Sequence, residues 1–129
     1  KYAIESPEFY HFILLAKDKE GHRQLRKLSS RAWERAYTYK RVERVPTFYS
    51  DLEDIVKPNP GHLIASTACL GGEFDKLILA DNVDGSIAFV NWCRSIFGAE
   101  NFYIELQPGL SKDQLSAFPR GRKRSRRVL

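Results

Sequence analysis

Two side chains stand where they can do chemistry. His11 opens the apolar run of residues 12–16, and imidazole is a good nitrogen donor to zinc or manganese. Cys69 follows a second apolar stretch, residues 62–67 (HLIAST), and precedes Gly71, Gly72 and Glu73. A thiolate at a strand end, on a loop that glycine lets bend sharply, can ligate a metal or act as a nucleophile. Each residue also has a plainer reading: a satisfied structural histidine, and an inert thiol at a strand–helix junction. Cys93 sits among Val90, Trp92 and Ile96 and reads as packing. His22 and His62 read as a solvent-facing and a strand-edge residue. Glu105 faces away from its neighbours Ile104 and Leu106, so it is either a solvated carboxylate or aimed at a pocket. No CxxC or HExxH spacing occurs, and no P-loop, GxSxG or GxGxxG.

A second chemical feature is charge. Arg120, Arg122, Lys123, Arg124, Arg126 and Arg127 crowd the C-terminus with no acid among them. Such a tail can neutralise phosphates without reading base sequence. Phe118 is its one aromatic residue, so stacking on single-stranded bases is not supported. A solvated end or a localisation signal is the alternative. The formal net charge is +5, yet the tail alone exceeds it: residues 1–119 hold 15 basic and 16 acidic side chains. Within that part, residues 17–44 hold ten Lys/Arg against four Asp/Glu, and residues 45–119 hold four against ten. The asymmetry either steers an anionic partner to one side or lets opposite surfaces neutralise each other.

The elements that must position these residues follow from pattern. The chain has 129 residues, 43% hydrophobic and 29% charged, enough for one packed core. Collagen-like structure and wholesale disorder are excluded. No apolar run approaches the roughly 20 residues of a membrane span, and the start KYAIESPEFY shows no secretory pattern. With Lys1 first and no Met anywhere, the natural start is expected to lie upstream. Two cysteines are too few for a disulfide framework, which makes the cytoplasm the expected compartment. Residues 9–17 (FYHFILLAK) predict a strand buried on both faces of a parallel sheet. Asp18 then caps a helix over 19–35, whose stripe is Leu25, Leu28, Ala32 and Trp33. Its other face carries His22, Arg23, Arg26, Lys27, Arg31 and Arg35. Residues 37–46 lack a period and read as a loop or short extended piece. Ser50 or Asp51 caps a short helix that Pro58 and Pro60 stop. Residues 62–67 form a second strand and 74–80 a helix. Asp84 caps a longer helix, with Ile87, Phe89, Val90, Ile96 and Phe97 inward and Gly98 at its end. Residues 101–107 alternate as a third strand at Phe102, Ile104 and Leu106. This order predicts an α/β fold with parallel strands. Three strands leave open edges, so the chain is expected to belong to a larger sheet or barrel.

Three segments in order, FYHFILLAKDKEGHRQLRKLSSRA, GHLIASTACLGGEF and SIFGAENFYIELQP, resemble the N-terminal PHP (polymerase and histidinol phosphatase) domain of bacterial replicative DNA polymerase III alpha subunits. The resemblance covers about residues 9–114. It implies a partial (β/α)7 PHP-type barrel over 1–114, and a basic tail over 115–129 expected to be disordered. It implies a divalent metal, zinc or manganese, in the full-length family. His11 and Cys69 match two of the family's metal ligands; Glu73 and Glu105 lie in matching segments without an assigned role. The family's opening His-x-His pair, early glutamate and closing Asp-x-His have no counterpart here, so the metal is expected to be weak or absent. The implied function is part of a DNA-directed DNA polymerase in DNA replication, with a scaffolding or proofreading-related role and no DNA synthesis by the chain alone. Its expected partners are DNA, reached through the parent polymerase, and replisome subunits such as a proofreading exonuclease; no membrane is expected. A truncated or frame-shifted reading frame would account for the sequence after Gln114. The rival readings are a stand-alone metal-dependent phosphoesterase and a non-enzymatic nucleic-acid-binding module.

Overall fold

The computed structural model describes residues 9–107, and the six cations of the C-terminal tail lie outside them. Helix α1 (Lys19–Glu34) starts where its sequence says: Asp18 is extended and its carboxylate accepts the Gly21 N–H at 2.9 Å. That satisfies one of the N–H groups a helix start leaves unbonded. Leu28 and Ala32 are buried, while Trp33 turns out at 56% exposure although the stripe predicts it inward. Ala32 takes the inward position, and Trp33, one residue on, is turned about 100° away from it around the helix. Gly21 is needed for space, since a Cβ there would sit 2.1 Å from the His62 carbonyl oxygen.

Residues read as a loop instead form a hairpin. Strands β2 (Tyr37–Tyr39) and β3 (Val42–Arg44) pair antiparallel, with Tyr39 opposite Val42. The two turn residues, Lys40 and Arg41, have φ of 47° and 65°. Helix α2 (Tyr49–Ile55) follows. Neither Ser50 nor Asp51 is its cap. Phe48 occupies that position, and Asp51, three residues on, reaches back to accept the Phe48 N–H at 2.9 Å. Asp51 is fully buried, and Arg35 Nη1 lies 2.8 Å from both its oxygens. Arg31 adds a longer contact at 3.5 Å and an ion pair to Asp54 at 3.0 Å. This cluster ties α1 to α2.

Strand β1 (Ile13–Ala16) and strand β4 (Leu63–Ser66) form, each shorter than expected. Helices α3 (Glu73–Leu79) and α4 (Val83–Phe97) come next. Asn82, not Asp84, caps α4 by accepting the Gly85 N–H at 2.9 Å. Ile87 lies exposed instead of inward; Phe89, Cys93, Ile96 and Phe97 are buried. Gly98, at φ 91°, ends the helix as expected. A 3-10 turn (Ala99–Asn101) leads to β5 (Phe102–Tyr103).

The sheet order is β1-β4-β5. The fold is mixed α/β, but the expectation of parallel strands holds only in part. β4 and β5 are parallel, with Ala65 opposite Phe102, whereas β1 and β4 are antiparallel, with Leu14 opposite Ala65. Apolar density carries no sign of a neighbour's direction, and it also overstates burial: it predicts β1 buried on both faces, but Ile13 and Leu14 are only partly buried and Leu15 and Ala16 are exposed. The long connection from Ala16 to Leu63, with two helices and a hairpin, can return the chain either way. The third strand is also shorter than its alternation suggests. Ile104 is exposed and Leu106 is 87% exposed, because beyond Tyr103 the backbone is held by side chains. Thr67 Oγ1 accepts the Glu105 N–H at 3.0 Å, and Gln107 Nε2 donates to the Ala68 carbonyl at 3.4 Å.

Strand alternation gives the sheet two unlike faces. Leu14, Leu63, Ala65 and Phe102 face the helices, packing with Leu28, Phe89, Ile96 and Phe97. Phe12 anchors this core, its ring 5.9 Å from Phe97 and 6.3 Å from Phe89. On the opposite face lie Ile13, Leu15, Ile64, Ser66 and Tyr103, with Leu15 at 56% and Tyr103 at 55% exposure.

Candidate functional site: the His11–Cys69 corner

His11 precedes β1, and its backbone N–H donates to the Gly71 carbonyl at 3.0 Å. That bond brings the loop after β4 against the start of β1. Cys69 lies in this loop, and its Sγ is 3.2 Å from His11 Nδ1. The Gly71 N–H donates to the same sulfur at 3.4 Å. The turn is tight enough to hold Ala68 at φ 64°, a conformation L side chains rarely adopt. Gly72 is required there, since an added Cβ would come 2.4 Å from the Thr67 carbonyl oxygen.

Ser66 Oγ accepts the Ala68 N–H at 3.2 Å and donates to Glu105 Oε2 at 2.9 Å. Gln107 Nε2 donates to the other carboxylate oxygen at 2.8 Å. The Gln107 and Ser66 hydrogen bonds hold the Glu105 carboxyl below the usual carboxylate range, and the nearby His11 adds to the effect. His11, Cys69 and Glu105 therefore share one corner of the fold. Glu105 is the member sequence reasoning left undecided. Its signal was its parity with Tyr103, two residues before it at the end of the strand parallel to β4, which becomes meaningful only once the pairing is known.

Of the remaining candidates, Glu73 stays near His11. Glu73 opens α3 and lines, with His11, Tyr37, Phe48 and Tyr49, an apolar cleft of about 790 Å³. Cys93 is wholly buried, and burial, with the Glu73 charge adding, pushes its thiol up to about 12. It is packing, as read. His62 Nδ1 lies 2.7 Å from Asp18 Oδ2, and His22 is exposed.

A metal needs more donors than this corner offers. His11 and Cys69 supply one nitrogen and one sulfur. Among the described residues no three His, Cys, Asp or Glu side chains are grouped to hold an ion. Zinc takes four ligands, or three and a water. The described residues thus do not by themselves fit the divalent ion that the resemblance implies.

A family profile described as "PHP domain" matches residues 2–109. The chain belongs to the PHP domain family. Among its relatives, the "DNA-directed DNA polymerase" of Bacillus phage SPbeta is 42% identical over 122 residues, covering 84% of this chain and 9% of the relative. The "DNA polymerase III subunit alpha" of Borreliella burgdorferi (strain ATCC 35210 / DSM 4680 / CIP 102532 / B31) is 37% identical over 105 residues, covering 81% and 8%. That of Thermus aquaticus is 38% identical over 100 residues, covering 77% and 7%. This PHP chain therefore spans less than a tenth of the length of the polymerases it matches. Among its described residues, no helix is long and apolar enough to cross a membrane.

Proposed function

We propose that the chain is the PHP-domain piece of a replicative DNA polymerase and that its role is to scaffold that enzyme. The observation that carries this reading is the two-faced sheet. Helices cover one face; on the other, Leu15 and Tyr103 are more than half exposed and Ile13 and Ile64 are only partly buried. Barrels fill such an inner face with side chains from further strands. On this reading the open face is the interior of a PHP barrel whose remaining strands lie elsewhere in the polymerase. His11 and Cys69 are then two members of a metal site whose other ligands come with those strands. The described residues offer too few grouped donors to complete that site, and the piece supports nucleotidyl transfer only as part of the whole polymerase. Its partners are the rest of the polymerase and, through it, DNA and a proofreading exonuclease.

Transplantation tests the proposal. Residues 9–107 replace the matching segment of the Thermus aquaticus polymerase subunit, and primer extension is measured beside the chain alone. The chimera is expected to extend primers and the isolated chain to give no product. A folded chimera without activity, or an isolated chain that extends primers, overturns the reading. Metal content separates the phosphoesterase alternative: it requires well above one ion per isolated chain, lost in Cys69→Ser.

A further inference from the structure

Of the ten Lys and Arg side chains in residues 17–44, three pair with carboxylates, two more contact residues far along the chain, and Lys40 lies over the ring of its neighbour Tyr39. Arg23 pairs with Glu20, and Arg31 and Arg35 pair with Asp51. Lys17 Nζ donates to Asn101 Oδ1 at 2.8 Å, and the Arg44 guanidinium lies 4.7 Å from the Phe9 ring centroid. Lys19, Arg26, Lys27, Lys40 and Arg41 are exposed and without a carboxylate partner among the described residues. Asp18, Glu34 and Glu43 are the exposed acids in this stretch, and with ten cations against four acids it still keeps an excess of positive charge.

Their placement is ordered. On α1, Lys19, Arg26, Ser30 and Trp33 fall on one solvent face, with Arg23 and Lys27 beside them. The helix is about 24 Å long at 1.5 Å per residue. Lys40 and Arg41 form the tip of the hairpin that follows directly. Both have positive φ, as a two-residue turn of this kind demands, and such turns ordinarily use Asn-Gly. Here two long cations occupy the strained positions. Lys40 Nζ lies 5.3 Å from the Tyr39 ring centroid, and among the described residues Arg41 makes no side-chain hydrogen bond that would offset its φ of 65°. Strain kept without a structural return points to use of the side chains themselves.

We propose that the solvent face of α1 and the β2–β3 tip bind the phosphodiester backbone of a nucleic acid. Separate cations spread over a rod-like helix match a polyanion with closely spaced charges. A protein partner would call for an apolar centre, whereas here the exposed apolar side chains are scattered, Trp33 on α1 and Val42 beside the tip; Trp33 is placed to stack on a base when the strand is single. The inference rests on charge and turn geometry and does not depend on the polymerase reading, so transplantation and this test can fail separately.

The test uses the full chain, its tail present in every variant, and two double substitutions. Lys40→Asn with Arg41→Gly replaces the tip by the residues its turn prefers. Arg26→Gln with Lys27→Gln neutralises the helix face. Anisotropy of a labelled 20-mer, duplex and single-stranded, is followed as NaCl rises. Each double variant is expected to bind more weakly, by about tenfold at low salt, with a log–log salt slope smaller by about 2. The Asn-Gly variant is at the same time expected to melt at a higher temperature, which a purely structural role for Lys40 and Arg41 would not combine with lost binding. Fluorescence quenching by the single strand that disappears in Trp33→Phe assigns single-stranded nucleic acid; loss of duplex binding without quenching assigns duplex. Unchanged affinity and slope in both variants overturns the proposal. Polyglutamate competing as well as DNA at equal charge, or phosphatidylserine vesicles losing as much binding as DNA, overturns it as well.

Discussion

The two cysteines occupy opposite environments, and chemistry should tell them apart. Cys93 is buried beneath α4 with its thiol pushed up to about 12. Cys69 is half-buried, beside the His11 imidazole and the Gly71 N–H. A disulfide reagent is expected to label one thiol of the native chain quickly and the second only after unfolding. Cys69→Ser should leave no fast thiol, and two equal rates would contradict the structure. Asp51 gives a second residue-scale prediction. Burial opposes its charge, but the Phe48 N–H and the Arg35 and Arg31 guanidiniums outweigh burial and hold its carboxyl below the usual value. Its folded pKa thus lies below the unfolded one near 4. The stability it supplies is complete above that unfolded value and is lost as pH falls through the folded one. Asp51→Asn removes the charge that two arginines face. Urea unfolding at pH 7 should show a loss of about 3 kcal/mol, the low end for a broken buried pair because both arginines are partly exposed. Acid dependence between wild type and variant should differ only below about pH 4. The meeting of His11 and Cys69 was legible because both flank apolar runs in segments that resemble a known family. Glu105 was not, because its neighbours depend on how strands pair.

At the scale of elements, capping and periodicity carried the reading. Asp18, Leu28 and Ala32 placed α1, and Gly98 ended α4. The cap of α4 moved from Asp84 to Asn82 because both residues can accept a backbone N–H and their spacing alone does not choose. The hairpin escaped notice because its tip lacks the Asn-Gly pair that announces such turns. Strand direction was invisible for a different reason: a pattern of period two is the same read either way. Gly21 tests how closely the elements are fitted. Alanine favours a helix by about 1 kcal/mol over glycine, yet its Cβ would meet the His62 carbonyl. Gly21→Ala is therefore expected to destabilise, by about 1–3 kcal/mol in urea unfolding. A gain in stability would show that the first turn of α1 can move away from β4.

For the whole molecule, the open sheet face decides the interpretation. A sheet with one apolar face uncovered is a poor end state in water, since exposed apolar surface of this kind marks an interaction site. Leu15 is more than half exposed in the chain alone. Leu15→Lys should change its stability by less than about 0.5 kcal/mol, as for other surface positions. In the chimeric polymerase the same substitution should abolish folding or primer extension, because it would place a charge inside a barrel. Equal tolerance in both settings would mean that nothing covers this face. Hydrogen exchange reads the same question at the backbone. Amides of β1 and β5 are compared in the chain alone and in the chimera. Protection that rises strongly in the chimera at both sheet edges is the predicted result, and identical exchange in the two settings would contradict the account of this chain as part of a larger barrel.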